Sequence, residues 1–181
     1  MSTKTEATIE DLYKVDGKAE LVNGEIVLMS PTGGKPSMAA RAIVLSLYEY
    51  ERRTKSGYAV TDNAAFKVNL PHRKSFSPDA AFYEGGEPTM KFFEGAPVFA
   101  VEVRSEGDYG PKQEKLMAEK RADYFAAGTQ VVWDVDLLGE TPVRVYRASD
   151  SDNPKAYRRG EVAEAEPALP GWTMPVDDLF V

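Results

Sequence analysis

The segment Pro97-Val-Phe-Ala-Val-Glu-Val103 constrains this chain most, because it is the most continuous strand-like apolar run and carries a charge near its end. At a strand's period of two, Val98, Ala100, Glu102 and Arg104 share one face, and Phe99, Val101 and Val103 share the other. The second is the better core face; the first holds small residues and then a carboxylate. Asp, Glu and Lys are almost never fully buried unless paired or bound to a metal. Two further charges stand in similarly costly places. Asp79 heads the short apolar run Ala80-Ala-Phe-Tyr83, and Lys120 lies in the helical segment after Val103.

Pro111 suits a first helical turn and Gly128 a stop, so the spacing predicts a helix over Lys112 to Ala127. With Leu116 at the origin, Ala127 falls at about 20°, Tyr124 at about 80° and Met117 at about 100°. Lys120, at about 40°, sits inside that apolar stripe, whereas Glu119, Asp123 and Ala126 take the other side. Its stem could pack on Tyr124 while the amine snorkels to the rim, or the amine could point at Glu102. If the strand after Asp79 pairs beside the Glu102 strand, two carboxylates about 4 Å apart would repel by ~4 kcal/mol at an effective dielectric of about 20. Either one takes up a proton or a cation holds the pair together. A hard divalent ion is the economical answer, since oxygen ligands suit magnesium.

Pro78-Asp79, followed by Glu102-Val103-Arg104 after a hydrophobic strand, resembles the PD-(D/E)XK nuclease signature. More narrowly, the chain resembles the Uma-two family of restriction-type endonucleases. The matching stretches are Glu20-Leu-Val-Asn-Gly-Glu-Ile-Val-Leu-Met-Ser-Pro31, Ser77-Pro-Asp79, Phe99-Ala-Val-Glu-Val-Arg-Ser105, Lys120-Arg-Ala-Asp-Tyr-Phe-Ala-Ala-Gly128 leading into Val131-Val-Trp-Asp-Val-Asp136, and Leu169-Pro-Gly-Trp172. The resemblance implies a restriction-endonuclease-like core, a mixed β-sheet flanked by helices (α/β or α+β), and metal-dependent hydrolysis of phosphodiester bonds, with DNA as substrate. On the matching positions Asp79 and Glu102 would hold Mg2+, or Mn2+ in its place, together with the carbonyl of Val103. Lys120 would be the active-site lysine, moved from strand to helix, and would orient water, or act as a base if its pKa were depressed. Glu20 would add a ligand or a supporting contact, and Arg104 would steady a phosphate. Cleavage would leave 5′-phosphate and 3′-hydroxyl ends. Homodimers are common in this class. Two positions depart from the family pattern: no histidine follows Met29-Ser-Pro31, and Ser105 is followed by Glu106 rather than proline.

Length and composition fit this reading and exclude others. At 181 residues, 43% hydrophobic and 28% charged, the chain suits one soluble domain over 1–181. No apolar run approaches transmembrane length and the opening residues lack a signal-peptide core, so a cytoplasmic protein is expected. Zero cysteines exclude disulfides, thiolate metal sites and a cysteine nucleophile, and the single His72 excludes multi-histidine zinc sites. His72 itself reads as a surface loop residue. Gly-x-Ser-x-Gly, phosphate-loop and dinucleotide signatures are missing. Two carboxylates alone would also suit a glycosidase, but Lys120 and the whole-chain pattern favour phosphodiester chemistry. A net charge of −7 and a pI of about 4.9 are not the footprint of a general nucleic-acid binder. The rival reading is therefore a nuclease-fold protein without turnover that serves as a nucleic-acid-binding or assembly module; RNA is a further candidate ligand.

Along the chain, Thr8 can cap a short helix over Ile9 to Tyr13. Asn23-Gly24 marks an N-terminal hairpin between Ala19–Val22 and Glu25–Met29, with Glu20 either in the site or on the hairpin's exposed face. Ser37 can cap a helix whose stripe Ala40, Ile43, Val44, Leu47 and Tyr48 runs to about Arg53. Tyr58–Thr61 and Ala64–Asn69 read as strands, Pro71–Lys74 as a polar loop, and Glu84 to Gly95 as a flexible rim. Gln130–Val135 reads as the strand after the main helix, with Trp133 in the core and Asp134 and Asp136 at its exit. Val143–Arg147 and Lys155–Arg159 suggest extra C-terminal strands joined by the polar run Ser149 to Pro154. The tail from Gly171 could cover an edge.

Overall fold

The computed structural model describes residues 5–181, so the reading of the opening residues falls in part on positions outside it. Thr8 caps α1 (Ile9–Leu12) through a reciprocal pair with Asp11. Asn23 and Gly24, at φ of 53° and 70°, turn β1 (Ala19–Val22) into β2 (Glu25–Leu28), the backbone that an Asn-Gly hairpin turn requires. The next helix, α2 (Gly34–Thr54), begins earlier than Ser37, with Gly33 as cap and Pro36 in the first turn, where a missing N–H costs nothing.

There follow β3 (Tyr58–Val60), β4 (Phe66–Lys67), β5 (Ser75–Phe76), β6 (Ala80–Tyr83), β7 (Phe93–Glu94) and β8 (Phe99–Val103). Then come α3 (Pro111–Ala126), β9 (Val131–Val135), β10 (Val143–Arg147), β11 (Asp150–Tyr157), β12 (Val162–Glu164) and β13 (Thr173–Pro175), with a final 3-10 turn at Val176–Leu179. The main sheet is mixed, in the order β11-β10-β9-β8-β6-β3. Strands β8 and β9 are parallel, joined through α3, and the other neighbours are antiparallel.

Several sequence expectations are corrected here. The Glu84 to Gly95 stretch contributes β7, which pairs with β4, because Phe93 stacks on Phe66 at 4.9 Å. The polar run from Ser149 is mostly strand: β11 starts at Asp150 and pairs with β10, an edge position that tolerates polar residues on both faces. The C-terminal segment covers a face rather than an edge. Trp172, Met174, Val176 and Leu179 are buried with Ile43 and Leu47 of α2 against Phe99, Val101 and Trp133. On the opposite face, Phe66, Phe76, Ala81, Ala100, Tyr124 and Val132 form a smaller core under α3. The α3 stripe is less apolar in practice than its wheel suggests, for Leu116 is 47% exposed while Tyr124 and Asp123 are buried. No helix among the described residues is long and apolar enough to cross a membrane.

Candidate active site

The site is assembled from two strand ends, a hairpin and one helix. Strands β6 and β8 pair with Ala80 opposite Val101, and Asp79 N–H donates to the Val101 carbonyl at 3.0 Å. The next step of that antiparallel register sets Asp79 opposite Glu102 on one face, the position at which cross-strand side chains meet. The other face of β8 puts Phe99, Val101 and Val103 into the larger core, so alternation alone turns Glu102 toward α3.

From α3, Lys120 reaches down to this face. Its Nζ lies 2.8 Å from Glu20 Oε1 and 2.8 Å from Glu102 Oε1, with the side chain only 16% exposed. One turn further along, the Tyr124 hydroxyl donates to the same Glu102 oxygen at 2.6 Å. Of the two positions open to Lys120 in the sequence, the rim and the carboxylates, it takes the second. Glu20 is likewise not on an exposed hairpin face: it is 3% exposed, because Ala19 and Leu21 pack under α1 and turn it inward. It accepts from Ser77 N–H at 2.8 Å and from Arg73 Nη1 at 2.7 Å.

Asp79 is held from both sides. Val103 N–H donates to its Oδ2 at 2.7 Å, and Lys18 Nζ donates to its Oδ1 at 2.7 Å. Lys18 also bonds Asp62 in the turn after β3 at 2.7 Å. Asp79, Glu102, Lys120 and Glu20 thus meet in one cluster, and Val103 contributes its N–H.

Arg104 does not join them. Its guanidinium donates to both oxygens of Asp134, at 2.8 and 2.7 Å, and also to Glu114, and its side chain is 3% exposed. The expected phosphate contact is corrected to a buried clamp joining β8, β9 and α3. Asp134 is correspondingly not a strand-exit residue; it is the 3%-exposed partner of that arginine.

The cluster's electrostatics separate the two carboxylates that share Lys120. Burial pushes Glu102 up, and the neighbouring Asp79 and Glu20 charges add to the rise against the opposing pull of Lys120. Burial would raise Glu20 too, but Lys120, Arg73 and the Ser77 N–H outweigh it and hold its carboxyl below the usual range. Burial alone would lower Lys120; Glu102 and Glu20 reverse this and raise it, so the amine is an ammonium rather than the depressed base considered from sequence. Tyr124 is raised well above an ordinary phenol, first by burial and then by Glu102, and stays a neutral donor.

Sequence reasoning missed four participants. Lys18 carries a readable signal, since it stands two residues before Glu20 and so shares its side of the strand. Arg73 sits in what reads as a polar loop, yet it is 6% exposed, joins Glu20 to Asp123, and lies 4.8 Å over the Phe76 ring. Asp123, placed by the wheel on the outer side of α3, is buried against Arg73, and half-exposed His72 bonds its second oxygen at 2.6 Å. No local pattern announces those two long-range pairings.

Among the described residues no group of three or more His, Asp or Glu is arranged to hold a metal ion. The donor set nonetheless fits a hard cation that keeps most of its waters: strand register sets Asp79 opposite Glu102, and the Lys18 ammonium lies 2.7 Å from Asp79.

A comparison with curated proteins gives no match. Among solved structures, the fold matches a crystal structure described as "a putative nuclease belonging to DUF820" from Anabaena variabilis, at 20% identity and a TM-score of 0.75 over 96% of this chain and 97% of that one. The family profile described as "Uma2: Putative restriction endonuclease" matches residues 7–177. That span takes in every element from the α1 cap to the start of the final 3-10 turn, and the chain belongs to this family.

Proposed function

We propose that this protein hydrolyses phosphodiester bonds of nucleic acid, DNA first, at the Asp79–Glu102–Lys120 cluster, with magnesium as the working ion. The observation that carries this reading is the placement of Lys120 Nζ at 2.8 Å from carboxylates on two different elements, beside the paired Asp79. Such a costly arrangement, beside an aromatic core that could have been closed with apolar side chains, suits a bound phosphate and cation better than it suits stability.

Asp79 and Glu102 would hold the ion, with water and a phosphate oxygen completing its shell; when bound, it supplies charge neutralisation and a water of lowered pKa. Lys120 acts as a fixed ammonium. Held charged by Glu102 and Glu20, it donates to the phosphate as negative charge develops there. Tyr124 fixes the Glu102 carboxylate, and Arg73 with Ser77 N–H fixes Glu20, so that Lys120 is aimed rather than merely tethered. The chain's net charge of −7 makes the local positive groups and the ion responsible for attracting a polyanion.

The test is cleavage of plasmid, single-stranded DNA and RNA in parallel, with magnesium or manganese and with chelator. Magnesium-dependent cutting of DNA is expected, reduced by roughly 10²-fold or more in Asp79→Asn and in Lys120→Met. Nucleic-acid binding with no cutting by wild type would overturn hydrolysis in favour of a binding module. Cutting of RNA alone would correct the substrate.

A further inference from the structure

The proposed hydrolysis gives Lys18 no part, yet its ammonium is one of the two groups that hold the Asp79 carboxylate, each at 2.7 Å. Its Nζ bridges Asp79 Oδ1 and Asp62 Oδ1, at 2.7 Å to each, and the side chain is only 14% exposed. Asp79 is equally enclosed at 13%, but Asp62 is 44% exposed, on the turn after β3 where Asn63 adopts φ of 62°. One ammonium is therefore shared between an inner and an outer carboxylate. The inner one faces Glu102; the outer one also accepts the Asn63 N–H at 2.7 Å, a partner independent of Lys18.

We infer that Lys18 is a built-in counter-ion that occupies the cation position at Asp79 and retreats to Asp62 when a divalent ion takes that carboxylate. The inference rests on the nuclease reading above and adds a residue to it. Three carboxylates converge at the cluster, Glu20, Asp79 and Glu102, and Lys120 neutralises the Glu20–Glu102 pair only. Without a second cation, the Asp79 carboxylate would stand opposite Glu102 with the Val103 N–H as its own remaining partner. A divalent ion at Asp79 Oδ1 would lie within a few Å of the Lys18 ammonium, and the repulsion between these like charges makes the two compete. Asp62 makes the exchange possible, because Lys18 keeps a bonded partner throughout and no buried charge is stranded.

The experiment is calorimetric titration of the full chain with manganese and with magnesium, no nucleic acid present. It compares wild type, Lys18→Met, Lys18→Gln, Asp62→Asn, Asp79→Asn and the Lys18→Met/Asp62→Asn double variant, each first shown to be folded by circular dichroism. Removing the competitor is expected to tighten metal binding about tenfold in both Lys18 variants, and Asp79→Asn to weaken it severely. Asp62→Asn takes away the outer refuge and should weaken binding in the wild-type background. In the Lys18→Met background the same change should do much less, a coupling that a merely structural lysine would not show. Metal binding by wild type that is unchanged or weaker in both Lys18 variants overturns the exchange and leaves the metal site standing. If neither wild type nor any folded variant takes up metal, the nuclease centre itself fails, and the role of Lys18 with it.

Discussion

The two faces of the central strands β8 and β9 are made by the same alternation and filled by opposite means. Toward α2, Phe99, Val101, Trp133 and Val135 meet the C-terminal segment in a continuous apolar core. The Phe99, Trp133 and Trp172 rings pack there with centroids 5.1 to 5.5 Å apart. Toward α3 the same strands present Ala100, Val132, Glu102 and Asp134, and the larger of the gaps are closed by ion pairs. One face gains its stability from area removed from water, which is indifferent to pH. The other depends on every charge having a partner, and removal of one partner leaves a buried charge behind. The proposed chemistry lies on the second face, where charged groups are held still and kept from water at once.

The most severe way to break this contrast is Trp133→Ala. It removes the largest fully buried side chain of the apolar face and the hydrogen bond from its Nε1 to the Glu164 carbonyl. A loss of roughly 3–5 kcal/mol is expected, about 10 °C in melting temperature, with metal affinity of the folded fraction unchanged. Asp134→Ala tests the polar face away from the proposed chemistry. Arg104 keeps Glu114 but loses its bidentate partner, so a loss of about 3 kcal/mol is expected in urea unfolding, at the lower end for a broken buried pair. An Asp134→Ala variant as stable as wild type would show that the clamp contributes nothing and that the small apolar core under α3 suffices.

How legible each face was follows from the same contrast. The apolar face could be read from the period-two pattern of Phe99, Val101 and Val103 and from Trp133, because burial of large side chains depends on spacing along one strand. On the polar face Asp79, Glu102 and Lys120 could be anticipated, since charge in an apolar run is itself a local anomaly, whereas Glu20 was suggested only by the family resemblance. Their partners could not. Arg73 and Asp123 are 50 residues apart and meet only after β1, β5 and α3 have come together. Arg104 was misread for a related reason: its position after Glu102 is visible in the sequence, whereas Asp134 on the neighbouring parallel strand depends on sheet register. Polar Ser151 and Asp152 were assigned to a loop because edge strands do not need apolar alternation.

The finest test lies within the polar face, where Glu20 and Glu102 share Lys120 but are shifted in opposite directions. Glu20 is held below the ordinary 4.5, so its charged form stabilises the fold above that pH, and the contribution is lost as pH falls through its folded value. Glu102 is raised above 4.5, so its ionisation opposes folding; the fold gains stability as pH falls through the raised value, and the gain is complete below the unfolded one. In chelator at pH 7, Glu20→Gln is therefore expected to lower stability by about 1.5–3 kcal/mol, the scale of a lost hydrogen bond to a charged group. Glu102→Gln should leave stability equal to wild type or raise it by up to about 1 kcal/mol, because a neutral amide replaces a charge the site resists. At an acid pH below Glu20's depressed folded value both differences should shrink, as the wild-type carboxyls become neutral as well. Urea unfolding at the two pH values reads this directly. A Glu102→Gln protein that is clearly less stable than wild type at pH 7 would mean that Lys120 and Tyr124 more than offset the burial of that carboxylate. Glu102 would then be a structural partner like Asp134, and the contrast between stabilising and strained carboxylates on this face would collapse.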